Sequence, residues 1–474
     1  GIKGGLIIVV ADDPSMHSSQ GEQDSRFYAD YAMIPCFEPT TQQEAYEMVF
    51  EAFEISEKYH VPVMMRMVTR LAHSRAVVHP VDAKKVVAEN QTAKANGKEW
   101  MLLPALARKN YEKMLAKQVD LSYWSNNCKW NKLELNPKRT DIAIITSGLG
   151  KNYYLENLED YKSLCEARFP GKGVPSTLHI GTLPLPAESI KKLAANVEQI
   201  LVIEEGMPFV EKQLRGVLPQ KVKIIGKFTG ELPRAGELNP DNVRTALGLP
   251  QVNSVASEFV GKNSVLTDMC ENLAGRPPQL CKGCPHGDSY TAINLAVKSM
   301  AEKDGQDNVA VLADIGCYAL GAVPPYNAVE SIVCMGASIG MARGASLAGI
   351  KNTIGVIGDS TFLHSGMTNL VDAISTKTPV TVVILDNSIV AMTGCQQTIL
   401  PSSKLEGLLL GLGVEKEHLR VLATNPNNNE ANAKIIEEEC NYRGVSVIVM
   451  VRECLEAFRL RTKAEKLAQM KKEN

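Results

Sequence analysis

The residues whose types and order point most directly to chemistry lie between Gly358 and Gly394, GDSTFLHSGMTNLVDAISTKTPVTVVILDNSIVAMTG. The segment reads as a strand end, an acidic turn, a helix and a second apolar strand that stops at Asp386-Asn387. That order puts Asp359 and Asn387 at the carboxyl ends of two parallel strands, where open α/β sheets bind ligands. Mg²⁺ takes octahedral oxygen ligands and shares them with phosphates, so it needs only one or two side-chain oxygens from the protein. Asp359 offers a carboxylate, Asn387 an amide oxygen and Ile389 a backbone carbonyl. Gly358 and Ser360 flank the acid, and a helix expected to begin near Ser365 would turn its first amides toward a diphosphate. The plainer alternative makes Asp359 a helix cap and Asp386-Asn387 a turn. The spacing of the two together favours the metal.

Other blocks surround this one. Asp314-Ile-Gly-Cys follows another apolar run, and Gly316, beside Cys317, would let the backbone approach a ligand closely. The stretch Val333–Ser346 mixes small residues with Met335, Gly336 and Ile339. The Gly-Asp-Ser turn followed by Asp-Asn resembles the magnesium diphosphate site of thiamine diphosphate enzymes, whose cofactor needs a bulky apolar side chain beneath it to fold its rings into a V. Met335 or Ile339 would serve, and a helix-packing stripe is the alternative for each. Leu280-Cys-Lys-Gly-Cys-Pro-His286 also has two readings. Cys281 and Cys284 are half of a metal site whose other half is absent, since Cys270 and Cys317 are not spaced to complete it. Alternatively the loop lines the cofactor pocket, with Cys284 and His286 facing it. The polar loop from Ala11 to Arg26, with Ser18, Ser19, Gln23 and Arg26, would hold a substrate carboxylate, form a domain interface or simply be solvated.

The 474 residues suffice for about three domains. A 45% hydrophobic and 22% charged composition suits an α/β protein. The net charge of −2 points to neither nucleic acid nor an anionic membrane. No apolar run reaches the roughly 20 residues that span a bilayer. Eleven scattered cysteines give no disulfide framework, so a reducing cytoplasm is the expected setting. Strands are expected at 5–11, 62–67, 199–206, 309–313, 353–358, 379–386 and 445–452, and helices at 41–59, 104–117 and 186–196. The chain opens almost directly on a buried-type strand without an initiating Met, which reads as a piece of a longer protein.

Together the blocks ADDPSMHSSQ, PVMMRMVTR, IITSGLG, VIEEG, GKFTGELPRAGEL, LCKGCPH, DIGCYALG, CMGASIG, GDSTFLHSG and DNSIVAMTG resemble the alpha subunits of indolepyruvate:ferredoxin oxidoreductases, nearly end to end. These belong to the thiamine diphosphate-dependent 2-oxoacid:ferredoxin oxidoreductases. The resemblance implies a three-domain α/β fold with parallel sheets flanked by helices. Residues 1–75 would be the rear of a pyrimidine-binding domain, 76–139 a connecting segment, and 140–250 a transketolase C-terminal-like domain. Residues 265–455 would form the diphosphate and Mg²⁺-binding domain, and 456–474 a tail helix or linker. It implies oxidative decarboxylation of an aryl pyruvate to an acyl-coenzyme A, with electrons passed to ferredoxin, and a beta subunit as partner. The glutamate that activates the cofactor would lie upstream of residue 1. The family's 4Fe-4S clusters would belong to the full-length protein without being ligated by this chain, so the chain alone is expected to be incompetent. Two positions depart from the pattern: Gly287 stands where the family has Arg, and Cys395 where it has His. A non-redox thiamine diphosphate decarboxylase or carboligase is the runner-up, and a non-catalytic scaffold subunit the third reading.

Overall fold

The computed structural model describes residues 2, 4–80, 101, 103–219, 221–251 and 278–473. Cys270, residues 81–100 of the connecting segment and the expected boundary at 265 lie outside the described residues. The chain divides into two compact units, Gly1–Glu271 and Asn272–Asn474.

The first unit begins with β1 (Ile7–Asp12), α1 (Arg26–Ala32), β2 (Cys36–Phe37), α2 (Gln42–Tyr59), β3 (Val63–Val68) and α3 (Thr69–His73). The Thr41 side chain accepts the Glu44 amide and so starts α2. Met48, Ala52 and Ile55 then pack on Phe37, Val63 and Met65. α4 (Pro104–Asn127) opens on proline, whose fixed φ suits a first helical turn. It runs beyond the expected 117 because Leu121 is fully buried and Trp124 packs 5.6 Å from Phe37. Next come β4 (Lys132–Glu134), β5 (Ile142–Ser147), α5 (Gly150–Glu156), α6 (Leu158–Arg168), β6 (Ser176–Ile180) and β7 (Thr182–Leu183). α7 (Ala187–Ala194), β8 (Gln199–Glu204), α8 (Phe209–Val217), β9 (Lys223–Ile225) and α9 (Pro240–Ala246) complete it. Two sheets result, in the orders β1-β3-β2-β7 and β4-β6-β5-β8-β9. Both are parallel except where β7 and β4 add antiparallel edges.

The second unit is a three-layer α/β/α body. Its sheet strands are β10 (Val309–Ala313), β11 (Ser331–Ile332), β12 (Asn352–Gly358), β13 (Val380–Asp386), β16 (Leu419–Ala423) and β17 (Val445–Val451). They lie in the order β11-β10-β12-β13-β17-β16, all parallel. A short hairpin, β14 (Ile389–Val390) with β15 (Gln396–Gln397), follows β13. β12 and β13 are buried along their whole lengths, as strands covered by helices on both faces must be. One face packs α10 (Pro285–Asp304) and, later in the chain, Ala433 and Ile436; the other packs α11 (Ala337–Leu347) and the helix after β12. The chain leaves β10 toward β11 on one side and returns to β12 on the other, so a crevice opens between the carboxyl ends of β10 and β12. Among the described residues, no helix is long and apolar enough to cross a membrane.

Candidate functional site

A pocket with about 360 Å³ of empty space occupies that crevice. Three connections line it: Gly316–Tyr318 after β10, Gly358–Thr361 around the end of β12, and Asn387–Met392 after β13. His286, in the first turn of α10, closes it.

The helix after β12 begins at Asp359 and not near Ser365. α12 (Asp359–Thr361) passes through one π-helical turn (Phe362–Gly366) into α13 (Met367–Ser375). Its first amides therefore belong to residues that line the pocket. π-turns inside helices mark functional sites often enough that this one belongs with the pocket beside it.

Asp359 and Asn387 are both buried, and registered pairing of Gly358 with Leu385 brings their strand ends side by side. Burial pushes the Asp359 carboxyl up to about 7, and the neighbouring Asp386 charge adds to the push. Asp386 is held through one oxygen by the Ser388 amide (2.9 Å) and the Ser402 hydroxyl (2.8 Å), while its other oxygen has no partner. Two buried carboxyls facing each other disfavour a second negative charge, and a divalent cation at Asp359 would reverse that. The Asn387 amide nitrogen lies 3.2 Å from His286 Nε2. That contact requires the imidazole to accept, hence to be neutral, and burial followed by the nearby Arg452 charge lowers its pKa to about 4. Asn387 Oδ1 is thereby turned away from the imidazole, accepting only the Ile389 amide at 3.2 Å. A carboxylate, an amide oxygen and a backbone carbonyl form an all-oxygen set of the hard kind that Mg²⁺ prefers, so the residues present fit a magnesium diphosphate.

Eight of the residues singled out from the sequence share this pocket: Gly316, Cys317, Gly358, Asp359, Ser360, His286, Asn387 and Ile389. Four do not line it. Ile339 is fully buried in the core with Leu312 and Phe362, and Met335 is exposed. Gly336 has φ +88°, and a Cβ there would stand 2.4 Å from Ser365 Oγ. Asp314 holds this turn by accepting the Ser338 amide at 2.5 Å. Cys284 lies half-buried at the start of α10, its thiol raised by burial and by Cys281. The reason for Gly316 also differs from the expected one, because a Cβ would collide with the Tyr318 ring at 2.4 Å. Tyr318, Thr361, Leu385, Val390, Ala391 and Met392 line the pocket without having been singled out. Their apolar or hydroxyl character is common at turns and strand ends, so only the three-strand convergence identifies them.

The two departures have structural causes or consequences. A Cβ on Gly287 would meet the Tyr326 hydroxyl at 2.3 Å, so that space is already taken. Asp288 pairs with Arg452 at 2.6 Å, and Arg452 also donates to the Gly283 carbonyl at 3.0 Å. Cys395 sits in the β14–β15 turn with φ +61° and does not line the pocket. Ten cysteines are free among the described residues, which gather no group of three or more His, Cys, Asp or Glu side chains able to hold a metal.

The acidic turn and the Asp386-Asn387 pair meet at the switch point of a parallel sheet, an arrangement that fits the thiamine diphosphate class. Residues 314–408 match the C-terminal TPP-binding domain of thiamine pyrophosphate enzymes. Residues 11–120 match the thiamine diphosphate-binding region of pyruvate flavodoxin/ferredoxin oxidoreductases. Over 472 residues the chain is 32% identical to indolepyruvate oxidoreductase subunit IorA of Methanothermobacter thermautotrophicus, covering 96% of this chain and 72% of that protein. The same subunit of Archaeoglobus fulgidus is 32% identical (96% and 71% covered), and that of Thermococcus kodakarensis 33% (96% and 71%). The chain belongs to this family of indolepyruvate oxidoreductase alpha subunits. Among solved structures, the 2-oxoglutarate:ferredoxin oxidoreductase of Magnetococcus marinus is similar at 16% identity and a TM-score of 0.33, over 39% of this chain and 70% of that one.

Proposed function

We propose that this chain is the catalytic alpha subunit of a cytoplasmic oxidoreductase that decarboxylates an aryl pyruvate of the indolepyruvate kind, passes the acyl group to coenzyme A and delivers the electrons to ferredoxin through iron–sulfur clusters. Asp359, Asn387 and the Ile389 carbonyl hold Mg²⁺, while Gly358, Ser360 and the first amides of α12 receive the diphosphate. Thiamine diphosphate, when bound, supplies the nucleophile and the electron sink that breaking the bond to a carboxylate needs. The chain's own residues orient it. Neutral His286 fixes the Asn387 amide, Asp386 holds the turn after β13 through Ser388 and Ser402, and Cys317 borders the pocket, its thiol pushed up to about 11 by burial and by Cys284. Residues 1–75, 140–250 and 265–455 are read as the pyrimidine-domain, transketolase-like and diphosphate-binding parts. A beta subunit completes the enzyme.

The observation that carries this reading is the convergence of Asp359, Ser360, Asn387 and Ile389 on one pocket at the carboxyl ends of β12 and β13. The test is product analysis on the complex purified from its source, supplied with indolepyruvate, phenylpyruvate or 2-oxoglutarate. Viologen reduction that requires coenzyme A and is fastest with the aryl pyruvates is the expected outcome. Carbon dioxide release with aldehyde as the product, independent of coenzyme A and of any electron acceptor, would replace it with the non-redox decarboxylase.

A further inference from the structure

The second sheet of the first unit has an anomaly on one face. β6 is an inner strand, flanked by β4 and β5, and α5 and α6 connect β5 to it. Strands in such positions normally show apolar residues to the helices above them. The β5, β8 and β9 part of this face obeys the rule, with Ile144, Leu201, Ile203 and Ile225 packed against Tyr153 and Tyr161. The β6 part does not: its residues on this face are Thr177 and His179, with Thr146 beside them on β5. Instead of a packed core there is a hollow of about 500 Å³ that opens to solvent.

Three features say what the hollow would take. Tyr154, on its α5 wall, is only 6% exposed, and its hydroxyl has no hydrogen-bond partner. Leaving a buried hydroxyl unpaired is costly, so a ligand that supplies an acceptor to it is favoured. The lining is lysine-rich: Lys132, Lys151 and Lys162 line the hollow beside Glu134, and each lysine is paired with a carboxylate. Lys162 and Lys132 are engaged by exposed carboxylates close in sequence, pairs of the kind that contribute little and exchange readily. Lys151 reaches Glu44 of α2 at 3.0 Å and lies near enough to His179 that its charge, after burial, helps to lower that imidazole's pKa to about 4. His179 is therefore a neutral ring at physiological pH, bonded to the Thr146 hydroxyl at 3.1 Å. The remaining wall is apolar, from Leu155, Leu158, Val174 and Pro175.

We propose that this hollow is a second ligand site, for a small organic anion whose carboxylate or phosphate accepts from the Tyr154 hydroxyl and the lysine ammonium groups while its apolar body lies on the Leu155–Leu158 wall. It is separate from the diphosphate pocket, whose lining residues all belong to the second unit. Its size suits a nucleotide or an aryl acid.

The test is calorimetric titration of the full chain with AMP and with 3-phenylpropionate, each beside its uncharged counterpart, adenosine and 3-phenylpropionamide. Saturable binding of at least one anion is expected, about tenfold or more tighter than its neutral counterpart. AMP binding alone would assign phosphate, and phenylpropionate binding alone carboxylate. Tyr154→Phe removes a hydroxyl that has no protein partner, so the thermal midpoint should hold while anion affinity falls about tenfold. Lys162→Ala should weaken binding as well. No saturable binding of either anion at millimolar concentration, equal binding of charged and neutral probes, or affinity untouched in both variants would overturn the proposal and leave a water-filled hollow.

Discussion

At the scale of single residues, the proposed metal ligand Asn387 depends on a neighbour that would donate nothing to the metal. An asparagine amide can present either end to a cation, and His286 decides which, because its Nε2 takes the amide N–H. His286→Ala should therefore leave the fold intact but raise the Kd for thiamine diphosphate with Mg²⁺ by about fivefold to tenfold, the worth of one buried hydrogen bond. His286→Gln, which can still accept, should recover part of the loss. The measurement is cofactor titration of both variants at fixed Mg²⁺, beside a melting curve. Equal affinity in the alanine variant would show that Asn387 needs no orienting partner.

At the scale of elements, the site rests on how three strand ends are tied together. The Arg452 amide donates to the Asp386 carbonyl (3.1 Å) and the Cys454 amide to the Asn387 carbonyl (3.2 Å), so the exit from β17 clamps the turn after β13. The Arg452 side chain meanwhile grips the first turn of α10 through Asp288 and Gly283, next to His286. Arg452→Ala should loosen that turn and weaken cofactor binding by about tenfold, with Arg452→Lys, which keeps the charge but not the fork, recovering only part. An unchanged cofactor Kd in Arg452→Ala would mean that α10 is held by its apolar face alone. Such ties were not legible in the sequence, because Asp288 and Arg452 are 164 positions apart (452 − 288) and no local pattern links them. What was legible has a local cause. β10, β12, β13 and β17 are largely apolar runs bounded by turn residues, and the acidic turn and Asp-Asn pair sit directly at the ends of β12 and β13. Edge strands such as β4, β7 and β16 are short or half-polar and gave no comparable signal. The start of the helix at Asp359 was missed because Phe362–Gly366 breaks the 3.6-residue period with a π-turn.

At the scale of the whole molecule, the two units invest their polar groups differently. In the first unit a buried charge network takes the place of part of the apolar core. Arg26 is completely buried, donating to Asp24 (2.8 Å), Glu204 (2.8 Å) and the carbonyls of Glu205 and Met207 (2.9 and 2.8 Å). Arg66 bridges Asp12 (2.5 Å) and Glu38 (2.7 Å) beside it. Arg26 thereby joins the sheet of β1–β3 to the end of β8. Ser18 and Ser19, in the same loop, spend their amides on Asp13. Arg26→Met would strand Asp24 and Glu204 without their cation and should cost about 3–5 kcal/mol, read as a lower denaturant midpoint. The network also sets an acid limit. Burial alone would raise Asp24, but the Arg26 and Arg66 charges win and hold it at about 2, against an ordinary 3.8. A carboxyl depressed on folding contributes its full stability above about pH 4 and loses it as the pH falls toward 2, here about 2 kcal/mol. Unfolding curves between pH 5 and pH 2 should show that loss in the native chain, and a flat profile would remove Asp24 from the account.

In the second unit three buried acids, Asp314, Asp359 and Asp386, sit at strand ends while Glu439 pairs with Arg420 from a helix, and the proposed Mg²⁺ site at Asp359 is the central claim. The direct measurement is calorimetric titration of thiamine diphosphate into the purified chain, with and without Mg²⁺, for the native protein and for Asp359→Asn. The account predicts saturable binding that requires Mg²⁺ in the native chain and is weakened about a hundredfold or more in the variant, the consequence of removing a charged ligand from a buried divalent site. Binding that is indifferent to Mg²⁺, or equally tight in Asp359→Asn, would contradict it.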